Sequence, residues 1–207
     1  NSFGKTEMWY VMQADEDARL IVGFKEKSNS EEYIQNLENK TLLDILDTKK
    51  VKKGDVFFLE TGTIHAIGAG TVIAEIQQTS DITYRIYDFD RVDANGNTRE
   101  LHVDLALDAI NYDVVQAEKK YSKLDNKSNE VVDCSYFTTN FIPLDGNVKV
   151  TKNQKSFTVY MCVDGEFELI LNEEKYNYKK GDTVLIPAIL TDFQLDGKAA
   201  ILEIYIS

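Results

Sequence analysis

Positive charge is scarce in this sequence. Of 207 residues, 23 are Lys or Arg against 35 Asp or Glu, a formal net charge of −12. A chain so balanced lacks the basic face that meets nucleic-acid phosphates or an anionic membrane surface. Cysteine is scarce too. Cys134 and Cys162 are too few for a disulfide framework, and neither sits in a Cys-x-x-Cys pair. No apolar run nears the roughly 18 residues of a membrane span. The opening NSFGKTEMWY lacks the basic-then-apolar order of a signal peptide. There is no Gly-rich nucleotide loop, no Gly-x-Ser-x-Gly elbow, and no cysteine with a histidine near it in sequence. What the chain does have is 43% hydrophobic and 11% aromatic residues, which rules out disorder. A cytoplasmic, soluble, globular chain is expected, as one large domain or two small ones.

Residues 7–13 and 18–24 read as strands around an Asp15-Glu16-Asp17 turn. Ser28-Asn-Ser-Glu31 matches a capping box and predicts a helix over 30–39, with a second short helix over 41–46. Further strands are expected at 56–59, 71–77 and 83–87, a tight turn at Asn95-Gly96 and a short helix over 102–110. Residues 116–130 read as a polar linker, followed by short strands and turns.

A weak internal repeat organises these elements. Lys52-Lys53-Gly54-Asp55 and the strand Val56–Leu59 recur 127 residues later as Lys179-Lys180-Gly181-Asp182 and Thr183–Ile186. A hydrophobic strand pair precedes each turn, 7–13 with 18–24 and 156–163 with 166–171. The first copy adds a helical insertion over roughly 28–48. The expected fold is all-β with a few helices: tandem cupin-like jelly-roll barrels, a bicupin. The first barrel would occupy 1–115, the linker 116–130 and the second barrel 131–207.

Few residues can carry chemistry. His65 lies among small residues and glycines, in Thr61-Gly-Thr-Ile-His65-Ala-Ile-Gly-Ala-Gly70, with room for a ligand at the imidazole or for a structural role. His102 opens a helix, where capping or exposure explains it. Glu7 enters a very apolar strand, and Lys5, two residues earlier, shares its face. That pair is either an exposed ion pair or a metal-binding carboxylate with a cation beside it. Glu75 interrupts the apolar run Val72–Ile76, so if buried it must be paired, metal-bound or neutralised. Arg85 stands among strong β-formers, suited either to phosphate recognition or to a salt bridge with Glu75 or Asp81.

These residues fall in motifs that resemble a known family. Gly4-Lys-Thr-Glu-Met-Trp-Tyr10, Gly54-Asp-Val-Phe-Phe58, Gly62-Thr-Ile-His-Ala-Ile-Gly-Ala-Gly70 and Ile76–Arg91 are similar to the zinc-dependent type I mannose-6-phosphate isomerases, in their short bacterial form. The resemblance covers residues 4–91 densely and in order. It implies reversible interconversion of mannose 6-phosphate and fructose 6-phosphate. It implies Zn2+ as cofactor, a sugar phosphate as substrate, and neither nucleic acid nor membrane as partner. By motif, Glu7 and His65 are zinc ligands, while Arg85, Lys5 and Glu75 are active-site residues. Such chemistry moves a proton next to a carbonyl, so it needs a base and cationic stabilisation of a developing oxyanion.

One departure matters. The family's Gln-x-His motif, which supplies the other two zinc ligands, is absent from this sequence. The chain is therefore expected to be a fragment that binds zinc poorly and is inactive alone. Two other readings stay open: a metal-free cupin serving as a sugar-binding or interaction module, and another bicupin enzyme such as a metal-dependent dioxygenase. The latter usually needs a 2-His-1-carboxylate set, and the barrel region holds one histidine.

Overall fold

The structure, a computed structural model, describes residues 4–89, 91–153 and 155–206. Asp90, within the last of the motifs above, lies outside them. The chain forms two compact units, Asn1–Glu118 and Lys119–Ser207. The first contains β1 (Glu7–Ala14), β2 (Arg19–Phe24), α1 (Ser30–Glu38), α2 (Leu42–Ile45), β3 (Leu46–Lys50), β4 (Val56–Leu59), β5 (His65–Ile67), β6 (Thr71–Gln77) and α3 (Val103–Leu107). At the junction lies β7 (Glu118–Lys119), followed by β8 (Asn129–Asp133), β9 (Thr138–Thr151), β10 (Thr158–Leu171), β11 (Glu174–Lys179), β12 (Thr183–Ile186) and β13 (Asp192–Tyr205). Among the described residues no helix is long and apolar enough to cross a membrane.

The fold is mostly β with few helices, in keeping with cupin-like domains, but the expected jelly-roll barrels are not formed. Among the described residues three sheets run β6-β1-β4-β7, β3-β2-β5 and β11-β10-β13-β9-β8, with β12 also on β10, and none of them closes on itself. Closure would require hydrogen bonds between the two edge strands of a sheet. Neither a turn motif nor apolar patterning encodes such a long-range pairing.

Local features follow the sequence more closely. In β1 every residue from Glu7 to Met12 is buried, because the strand is central in its sheet, between β4 and β6. Trp9, Val11, Phe57 and Leu59 of that sheet share one core cluster with Leu20 and Val22 of β2. Thus 7–13 and 18–24, adjacent in sequence, lie in different sheets and do not pair. The cap of α1 sits one residue later than the capping box suggests. Asn29 Oδ1 accepts from the Glu32 N–H at 2.9 Å, and the Ser28 hydroxyl donates to the Glu32 carboxylate at 2.8 Å. Residues 83–87 are irregular rather than a strand. Their backbone is tied to α3 instead: the His102 N–H donates to the Arg85 carbonyl at 2.7 Å.

In the second unit the stretches 156–163 and 166–171 merge into the single strand β10. β9, β10 and β13 each run 14 residues, where short strands were expected. Gly146 and Gly197 face each other across β9 and β13, and Gly165 lies nearby on β10 opposite Ala199. All three have positive φ, +86°, +144° and +71°, so the strands bend there as residues with a Cβ rarely can. Side chains from both sides of this line, such as Ile142 and Val148 of β9 and Cys162 and Leu169 of β10, fill one core.

The repeated turn has the same geometry in both units. The Lys52 N–H donates to Asp55 Oδ2 at 2.9 Å, and the Lys179 N–H to Asp182 Oδ2 at 2.9 Å. Gly54 docks on Val11 (N–H to carbonyl, 2.8 Å) as Gly181 docks on Cys162 (2.9 Å). Both glycines have left-handed φ, +89° and +96°, which explains the residue type there.

Candidate functional site

Four of the five sequence-predicted residues converge where β1 begins. Glu7 and Trp9, two apart on one strand, project to the same face. The antiparallel pairing of β1 with β6 places Glu75 opposite Trp9. His65 begins β5, which pairs with β2 at Val22.

Glu7 is fully buried, so its two oxygens must be accounted for separately. Oε2 accepts from the Trp9 indole N–H at 3.0 Å and from Lys5 Nζ at 3.3 Å. Oε1 lies 3.2 Å from Lys5 Nζ and 3.4 Å from His65 Nε2. Neither of those approaches is aligned as a hydrogen bond, and among the described residues Oε1 has no hydrogen-bond partner. Burial alone would raise the Glu7 pKa. The imidazole of His65 and the ammonium of Lys5 outweigh it and hold the carboxyl below its usual range. Lys5 also donates to Glu75 Oε1 at 2.9 Å. Burial pulls its pKa down, but hydrogen bonding and attraction from Glu75 and Glu7 dominate and leave it raised.

His65 Nδ1 lies 2.7 Å from the Thr63 carbonyl, an acceptor only, so Nδ1 carries a proton. Nε2 is then the atom turned toward Glu7 Oε1. In the neutral ring it is an acceptor facing an acceptor, an arrangement that needs a proton or a cation between them. An imidazole fixed through its other nitrogen by a carbonyl is the usual support for a metal-binding histidine. Donor types and tautomer therefore fit a zinc-like cation. Donor number does not complete one: zinc takes about four ligands. Among the described residues no group of three or more His, Cys, Asp or Glu could hold a metal.

Lys5, Glu7 and His65 line a cavity of about 360 Å3 together with Tyr84, Ile86 and Ile110. Glu75, with its side chain one-third exposed, stands beside it through Lys5. Arg85 is not brought into the cluster. Its guanidinium donates to the Glu100 carbonyl at 3.2 Å, while its neighbours Tyr84 and Ile86 line the cavity. His102 neither caps α3 with its side chain nor reaches the cavity; its Nδ1 accepts from the Arg85 N–H at 3.1 Å.

Sequence reasoning assigned Trp9 no role. Its one N–H is shared between Glu7 Oε2 and Glu75 Oε2, at 3.0 and 3.1 Å, and its ring meets His65 edge-on at 5.0 Å. The available signal was its spacing from Glu7, which puts a donor on the carboxylate's own face.

Fold and site together define a class: a cupin-like β protein with a carboxylate–imidazole–ammonium cluster at one cavity. The model "Mannose-6-phosphate isomerase, cupin domain" matches residues 127–206. Mannose-6-phosphate isomerase ManA of Bacillus subtilis is 36% identical over 199 residues, covering 95% of this chain and 62% of that protein. The mannose-6-phosphate isomerase of Streptococcus mutans is 36% identical over 201 residues, covering 96% and 63%. Among solved structures, that of the mannose 6-phosphate isomerase from Bacillus subtilis superposes with a TM-score of 0.89 at 30% identity, covering 98% of this chain and 65% of that one. A mannose 6-phosphate isomerase bound with zinc and yttrium shares the fold at 14% identity, with a TM-score of 0.75 over 98% of this chain and 66% of that one. The chain is similar to these mannose-6-phosphate isomerases along nearly its whole length, and it spans less than two thirds of the length of the curated relatives it matches.

Proposed function

We propose that this chain carries part of the active site of an aldose–ketose isomerase, one that interconverts D-mannose 6-phosphate and D-fructose 6-phosphate with the help of zinc. The observation that carries the reading is Glu7 Oε1, buried, without a hydrogen bond among the described residues and turned toward His65 Nε2. Glu7 and His65 would hold the metal. A bound zinc ion would supply Lewis-acid polarisation of the sugar oxygens.

The other roles belong to the chain. Glu75 accepts hydrogen bonds at both oxygens, from Lys5 and Trp9, which fix its carboxylate beside the cavity. It takes the proton from one carbon and returns it to the next. Lys5, between Glu7 and Glu75, holds charge that develops on the substrate oxygen. Arg85 is assigned to the phosphate. It belongs to the segment that walls the cavity, and with Nη1 on Glu100 it keeps further donors in its planar fork. The apolar wall of Tyr84, Ile86 and Ile110 limits water around the reacting carbons. Cys134 and Cys162, both unpaired, suit a reducing cytoplasm.

With two donors, the 207-residue chain is expected to hold zinc weakly and to turn over no sugar phosphate. The test is a coupled assay of mannose 6-phosphate conversion, on this chain and on one extended to its relatives' length, with chelator and with added zinc. Activity of the longer chain that chelator removes and zinc restores is the expected result. Full zinc affinity in the 207-residue chain would sink the two-donor reading. No turnover by the longer chain despite bound zinc would favour a sugar-binding or interaction module.

A further inference from the structure

The second unit repeats the strand arrangement that carries the first unit's cluster, residue by residue. β10 pairs with β12 and β13 as β1 pairs with β4 and β6. Trp9 faces Phe57 and Glu75 on its two neighbours, and Tyr160 faces Val184 and Glu203. One register shift follows Val11 in β1, and one follows Cys162 in β10. In this alignment Glu203 stands for Glu75, Tyr160 for Trp9, Thr158 for Glu7 and Ser156 for Lys5. The central hydrogen bond is kept: the Tyr160 hydroxyl donates to Glu203 Oε1 at 2.9 Å, as the Trp9 indole donates to Glu75.

A cavity lies at the corresponding corner. It measures about 380 Å3, against about 360 Å3 in the first unit, and Ser156, Thr158 and Glu203 line it where Lys5 and Glu7 line the other. Both sizes fall within the range of small-molecule pockets. The chemistry has changed. The metal-type carboxylate and the ammonium have become two hydroxyls. Glu203 remains, and its other oxygen accepts from Asn140 Nδ2 at 3.0 Å and from the Ser128 hydroxyl. Every donor to it is neutral. Lys152 and Lys155 line the cavity as well, and Lys152 Nζ donates to the Ser156 carbonyl at 3.1 Å. Hydroxyls and amides can both donate and accept, which matches a ligand whose own groups do the same. Phe157, 37% exposed, lines the same cavity and offers an apolar face.

We propose that this cavity is a second binding site, for a polyhydroxylated ring such as a hexose. Asn140, Thr158 and Glu203 hydrogen-bond its hydroxyls, and Phe157 packs on its C–H face. The proposal stands whether or not the first cavity is an isomerase site.

The test is titration of the isotopically labelled 207-residue chain with D-mannose and with D-glucose, read by amide chemical shifts, with inorganic phosphate as the anionic comparison. Saturable shifts at Asn140, Thr158 and Phe157 are expected with the neutral sugars. Two variants should each weaken them about tenfold, the loss of one well-made contact. They are Phe157→Ala, at an exposed position, and the near-isosteric Thr158→Val. Unchanged thermal midpoints would separate lost binding from lost fold. Three results would overturn the proposal: no saturable shift up to about 100 mM sugar, the scale of negligible affinity; sugar-induced shifts confined to residues around Lys5 and His65; or stronger binding of phosphate at the second cavity.

Discussion

The two units build the same strand–turn–strand core and furnish it differently. In the first, Val11 and Gly54 are 43 residues apart; in the second, Cys162 and Gly181 are 19 apart. The additional residues include α1, α2 and β3 and bring a second sheet with them. That second sheet delivers His65, because β5 pairs there with β2. The second unit lacks the insertion, and at the position of Glu7 it carries Thr158. An imidazole thus meets a carboxylate only where the insertion supplies the strand that holds it.

Several measurements can break or sharpen this contrast. The largest expected effect is on metal binding. Trp9 is the only tryptophan in the chain and touches Glu7 and His65, so its fluorescence should report zinc or cobalt at that site. Glu7→Gln and His65→Ala are each expected to lower apparent affinity by more than about 100-fold, beyond the range for outer-shell partners. Thr158→Val should leave it unchanged. An equal loss from Thr158→Val would place the metal elsewhere.

Next in size is the shared aromatic–carboxylate bond. Trp9→Phe removes a donor to two carboxylates and is expected to cost about 3 kcal/mol. Tyr160→Phe removes a donor to one and should cost about 2 kcal/mol, within the range for hydrogen bonds to charged groups. Urea unfolding of both variants tests the order, and a larger cost for Tyr160→Phe would reverse it. Smaller still are the repeated turns. Asp55→Ala and Asp182→Ala each lose one bond to a backbone N–H, at about 1 kcal/mol. Matching shifts in denaturation midpoint are expected, because the two turns share one geometry.

The pH response should separate the units as well. Glu7 has a folded pKa below its ordinary value of 4.5. Its contribution to stability is complete above about 4.5 and is lost as pH falls through the lower folded value. Lys5 acts oppositely: its raised pKa stabilises below 10.5, and that gain disappears as pH rises through the higher folded value. Glu7→Gln is expected to flatten the acid limb of the stability profile. Thr158→Val, with no titrating group, should leave it in place.

Elements specified within a few residues were legible in the sequence. The Lys-Lys-Gly-Asp turns, the strand at Val56–Leu59 and the helix at Ser30–Glu38 needed only a glycine, a side-chain cap or an apolar period. Pairing partners and strand lengths were not. That β1 joins β4 and β6 rather than β2, that β10 runs through Gly165 unbroken, and that the sheets stay open are all decided by contacts distant in sequence. The same division holds at the site. Lys5 and Glu7 share a strand face by spacing alone, and Glu75 and His65 arrive with neighbouring strands. The part Trp9 plays became visible only when Glu75 was found opposite it. Residues 83–87 misled because β-forming side chains also serve an irregular segment when α3 offers its backbone a partner.

The line of glycines at Gly146, Gly165 and Gly197 has a consequence for how the second unit comes apart. Both walls of its core are the same three strands, bent once. Neither wall can be peeled away while the other keeps its register, since a break in β10 or β13 releases both halves of the sheet. Amide protons on the two sides of the bend should therefore exchange with solvent through one common opening. In the first unit the two walls are separate sheets with separate edges, and they can open at different rates.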